Sequence, residues 1–128
     1  MHLRVLKAIE KISLLELAYK MFNIDNEYSE HEKYYFNVFK SNTMLDLKDY
    51  QIKDINYHEI IRNLKESSML TKMLIFRELA YLMYTEHKPS DKEIKFLSQL
   101  RKDLNIDEIE ETKLIKQINE EKQKIVNS

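Results

Sequence analysis

The tetrapeptide Glu-Leu-Ala-Tyr (ELAY) occurs twice in this chain, at residues 16–19 and 78–81, and each copy lies inside a strongly apolar stretch. Each is followed nine or ten residues later by the same helix-start signal, Ser-Glu-His-Glu at 29–32 and Ser-Asp-Lys-Glu at 90–93. The runs LLELAYKMF (14–22) and MLIFRELAYLMY (73–84) are apolar nearly all round, and a helix of that kind is buried by neighbours on several sides. Two such helices, each leading through a polar loop into a capped second helix, predict a duplicated helical bundle. The two ELAY helices are expected to touch at its centre, with Ala18 and Ala80 allowing close approach.

Backbone composition points the same way. Glycine is absent from the 128 residues and proline occurs once, as Pro89. Helices joined by short polar turns follow from that lack of breakers. Phosphate-cradling loops of the Walker A or dinucleotide type cannot be written without glycine. The absence of cysteine removes disulfides, Cys-zinc sites and thiol nucleophiles. A formal net charge of −1 provides no global field to steer nucleic acid. No secretory leader is read at the N-terminus, which is amphipathic and interrupted by Lys7, Glu10 and Lys11. The most apolar segment, 69–84, carries Lys72, Arg77 and Glu78 and falls short of the roughly 20 apolar residues of a membrane helix. A cytoplasmic protein without a membrane span is expected.

Along the chain, helical spacing places a first helix over 3–22, a polar loop over 23–28, and a second helix opened by a Ser29/Glu32 capping box. Glu16 and Lys20 stand at i,i+4 in the favourable order. Residues 46–55 form a short helix or a turn with Leu45, Leu47, Tyr50, Ile52 and Ile55 pointing inward. Asn56 opens a segment striped by Tyr57, Ile60, Ile61 and Leu64, and Ser67 or Ser68 caps the helix that runs to about 86. Ser90 and Glu93 repeat the capping box. Asn105 takes the place of glycine as a left-handed stop. Asp107 and Glu110 open the last helix, expected over 107–122 and frayed from about 120. The fold expected is an all-α, single-domain bundle of six to seven helices. Its two pseudo-symmetric halves, 3–40 and 68–106, are each a helix–acidic loop–helix unit.

The two loops, Asp-Asn-Glu-Tyr-Ser-Glu-His-Glu at 25–32 and Glu-His-Lys-Pro-Ser-Asp-Lys-Glu at 86–93, resemble those of the tellurite-resistance TerB-like family. That family carries an acidic D-G-x-[IVP]-S-x-x-E loop in each of two related halves. The run FLSQLRKDLNI at 96–106 is similar to the family's FLxxLxxxLGL helix ending. Here Asn26 and His87 replace the loop glycine, Glu86 replaces one loop aspartate, and Lys88 stands beside it. The resemblance implies an all-helical bundle with a stress-response association and a divalent-cation link, and it implies no catalysis.

Asp25, Glu27, Glu30 and Glu86 are accordingly the candidate metal ligands. The first loop gathers oxygen donors of the kind hard cations require, and Asp25-x-Glu27-x-Ser29 mimics the start of an EF-hand loop. That loop lacks the central glycine, and Phe36 stands at position twelve. The simpler role for these acids is to cap a helix N-terminus. Glu16 and Glu78, acids within apolar runs, either face one another or pair with Lys20 and Arg77. Of the four histidines, His58 starts an H-E-x-x sequence whose fifth residue is Arg62, so the zincin motif fails. Lys92, Lys95, Arg101 and Lys102 make a basic helix face, and Tyr34 and Tyr35 lie beside His31 and Lys33. The last helix alternates charge and either docks on its own chain or pairs with a partner helix.

The function expected is a non-enzymatic TerB-like stress-response or protein-interaction module with weak divalent-cation binding in the first acidic loop. A protein partner or self-association is expected. A small regulatory protein of a mobile element, binding a protein or nucleic acid, is the alternative, with nucleic acid the less favoured partner. An enzyme ranks third.

Overall fold

Six helices occur among the described residues: α1 (Ala8–Asn23), α2 (Glu30–Thr43), α3 (Tyr57–Leu64), α4 (Met69–Glu86), α5 (Asp91–Asp103) and α6 (Glu108–Asn127). The computed structural model describes residues 6–24, 30–43, 49–86 and 88–127, and no strand occurs among them. The fold is the all-α bundle the sequence requires. No helix of the described residues is long and apolar enough to cross a membrane.

The two ELAY helices are buried hubs. Leu14, Leu15, Leu17, Ala18 and Met21 of α1 are 0% exposed, as are Ile75, Leu79, Ala80 and Met83 of α4. Helices α1 and α4 pack on each other. Each also packs on the two helices that follow it: α1 on α2 and α3, α4 on α5 and α6. Helix α5 additionally reaches back to α1. The hub pairing expected from the repeated tetrapeptide is therefore present. Helices α3 and α6, which lie outside the sequence-read repeat units, occupy corresponding places beside the two hubs.

Local chemistry fixes the helix ends. The Glu10 carboxylate accepts the Lys7 backbone N–H at 2.8 Å, so α1 begins at Ala8 rather than at residue 3. Asn56 caps α3 by accepting the His58 N–H at 2.9 Å. Ser68 accepts the Thr71 N–H at the start of α4. Ser90 and Glu93 form the expected reciprocal box, at 3.2 and 2.9 Å. Ser29 lies outside the described residues. Asn105 has φ 60°, and the Ile106 N–H reaches the Arg101 carbonyl while the Asn105 N–H reaches that of Lys102. This is the Schellman closure, made without glycine.

Two further expectations change. Helix α6 continues to Asn127 rather than ending near 122. The Lys122 ammonium donates to the Tyr84 carbonyl at 2.7 Å, and the Tyr81 hydroxyl donates to Glu121, so α4 holds α6 as far as residue 122. Residues 51–56 carry no regular structure, although Tyr50, Ile52 and Ile55 do pack against the core. Leu45 and Leu47 lie outside the described residues.

Candidate functional site

The irregular segment 50–55 is held by a single buried carboxylate. Glu16, 0% exposed in the middle of α1, accepts the Tyr50 hydroxyl at 2.8 Å and the backbone N–H groups of Lys53 and Ile55, both at 2.9 Å. Its two oxygens are thus committed to a segment 34 to 39 residues away. The sequence-based pairings of Glu16 with Lys20 or Glu78 give way to this arrangement. Lys20 instead pairs with Asp54 at 2.9 Å. Asp54 itself has φ 54°, a left-handed conformation that short polar side chains tolerate.

The segment delivers Tyr57 to the start of α3, where it meets α5. The Tyr57 ring packs edge-on against Phe96, with centroids 6.0 Å apart. Its hydroxyl donates to Asp103 at 2.6 Å, and the Gln99 amide donates to the other Asp103 oxygen at 3.0 Å. Burial and the neighbouring Asp103 carboxylate push the Tyr57 pKa well above its usual value, so the phenol stays a donor. Tyr50 is shifted in the same direction by burial and by Glu16.

This packing leaves an open groove of about 580 Å³ between the end of α1, the start of α3 and α5. Its floor is apolar, built from Ile24, Tyr57 and Phe96. Lys20, the partner of Asp54, lines it together with Lys92 and Lys95, and among the described residues no carboxylate does. Lys92 and Lys95 stand exposed at the rim, where long side chains lay their methylene stems along apolar surface and keep the charge in water. The groove can accept an apolar group whose flanks are negatively charged.

Of the sequence-predicted metal ligands, Asp25 and Glu27 lie outside the described residues. Glu30 is the first residue of α2 and Glu86 the last of α4, and their side chains also fall outside the described part. Among the described residues no three acids or histidines converge as a metal site would require. The expected basic face of α5 is changed at one position. Arg101 turns inward, donating to Glu111 at 2.8 Å and to the Ile106 carbonyl at 2.8 Å, while the Ser98 hydroxyl takes the second Glu111 oxygen. Arg101 therefore clasps α5 to α6. His58 stays exposed beside the Tyr57 ring.

In the sequence, Tyr57 stands out only as part of an apolar stripe and Phe96 only as the start of the run 96–106. The basic spacing of Lys92 and Lys95 was visible, but the apolar floor beside them arises only where α1, α3 and α5 converge. No family model, curated protein or solved structure matches the chain.

Proposed function

We propose that this chain is a non-enzymatic interaction module that docks an apolar, acidic-flanked helix of a partner protein in the groove between α1, α3 and α5. The observation that carries this reading is the pairing of an apolar floor with the exposed Lys92 and Lys95, with no acid among the described residues that line the groove. Apolar burial supplies affinity, and charge complementarity selects the partner and speeds encounter. The test is a titration of the ¹⁵N-labelled chain with a synthetic amphipathic peptide bearing a leucine stripe and glutamate flanks. Shifts confined to Lys20, Ile24, Tyr57, Lys92, Lys95 and Phe96 are expected. Phe96→Ala should weaken binding about tenfold or more. The K92E/K95E variant should weaken it most at low salt. Shifts scattered over the surface, or indifference to both variants, would remove the reading. Retention on DNA with no peptide response would favour the nucleic-acid alternative.

The TerB-like reading belongs to the same proposal: a stress-response module whose first acidic loop binds a divalent cation weakly. What supports it is the matched packing of the two ELAY hubs, together with a second helix that opens at Glu30, immediately after the acidic segment. Calorimetric titration with Ca²⁺, Mg²⁺, Mn²⁺ and Zn²⁺ tests it. Millimolar binding that is lost in the D25N/E27Q variant is expected. An absence of heat, with an unchanged melting temperature, counts against it.

A further inference from the structure

A second depression, of about 350 Å³, lies between α3, the first turn of α4 and the end of α5. Helix α3 sorts its charge by stripe. His58, Arg62 and Lys65 recur at i, i+4 and i+7 and so share one line along the helix. Glu59 falls one residue further round, roughly 100° away, Glu66 lies in the turn beyond the helix, and neither lines the depression. Lys72 joins from α4, its ammonium donating to the Lys65 carbonyl at 3.3 Å. That bond holds the charge over the end of α3 and leaves two of its N–H groups available.

Among the described lining residues, Arg62, Lys65 and Lys72 supply three permanent positive charges and Asp103 supplies one carboxylate. The lining therefore carries +2 with His58 neutral. Both Asp103 oxygens already accept hydrogen bonds, from Tyr57 and Gln99. Ile61 and Leu104 lend the depression an apolar floor, which lowers the local dielectric and strengthens attraction to an anion.

We infer that this depression binds a small ligand carrying a diphosphate group. A guanidinium fork matches phosphate oxygens in pairs, and the two ammonium groups act as adjustable point charges. The volume falls in the range of small-molecule sites. The inference does not rest on the apolar groove, since Lys92, Lys95 and Phe96 take no part in it.

The experiment titrates the ¹⁵N-labelled full chain with inorganic diphosphate at low salt. Saturable shifts at His58, Arg62, Lys65, Lys72 and Asn105 are expected at millimolar concentration or below. The R62E/K65E variant, altered at two exposed positions, should lose affinity about tenfold or more, the effect of removing a charge-assisted hydrogen bond. K92E/K95E should keep it. If R62E/K65E fails to give a dispersed spectrum, Lys72→Met provides the same comparison. A parallel arm offers vesicles carrying a polyprenyl-diphosphate lipid against zwitterionic ones, separating a free diphosphate from a lipid headgroup. Vesicle binding with no diphosphate response overturns the inference. Shifts spread over all lysines, or undiminished affinity in the charge variants, overturn it as well.

Discussion

The buried acids of this chain are structural fasteners, each matched to specific donors. Glu10 accepts the Ser67 hydroxyl at 2.7 Å in addition to its helix-opening bond, tying the start of α1 to the α3–α4 turn. Glu16 ties α1 to the 50–55 segment, and Glu111 ties α6 to α5. No buried polar side-chain atom among the described residues lacks a partner. Tyr50 completes the Glu16 network and Tyr57 bonds the half-buried Asp103, both as neutral phenols, and this has a consequence for pH. Their native pKa values are raised, whereas an unfolded tyrosine ionises near pH 10. Below that pH the stabilisation is fully present. Above it the unfolded chain releases protons that the folded chain retains, so stability falls as pH rises. The loss should be about 1 kcal/mol per pH unit for the two tyrosines together, after discounting for solvent screening. Urea unfolding between pH 8 and 11 measures it, and the Y50F/Y57F variant should show a shallower decline. An equal slope in both proteins would contradict the assignment.

The helices were largely legible because their signals are local. The Ser90/Glu93 box lies within one turn, and Asn105 directly follows Leu104, the buried C-cap of α5. The apolar runs around residues 16–19 and 78–81 announce burial on several sides before any partner is known. What could not be read depends on contacts distant in sequence. Glu16 looks like an i,i+4 partner of Lys20 until a segment more than 30 residues away offers it three donors. Arg101 looks like part of a basic face until Glu111 turns it inward. The bond from Lys122 to the Tyr84 carbonyl, which anchors α6 on α4, is likewise something helical periodicity does not encode. The candidate surfaces share this character: the stripe of His58, Arg62 and Lys65 is visible in the sequence, but its meeting with Lys72 and Asp103 is tertiary.

At the scale of the whole molecule, two hubs back onto each other and each carries its own pair of following helices. The binding surfaces proposed here lie where the two units meet. The apolar groove joins α1 and α3 to α5, and the basic depression joins α3 to α4 and α5. Both therefore depend on the hubs remaining packed. Native-state hydrogen exchange tests that claim most directly, because slowly exchanging amides report the free energy of the opening that exposes them. The amides of residues 14–21 and 75–83 should be the slowest in the chain and should exchange with the same free energy, equal to that of global unfolding. Exchange of either ELAY segment at a clearly lower free energy than the other would show that the two helices do not form one buried centre.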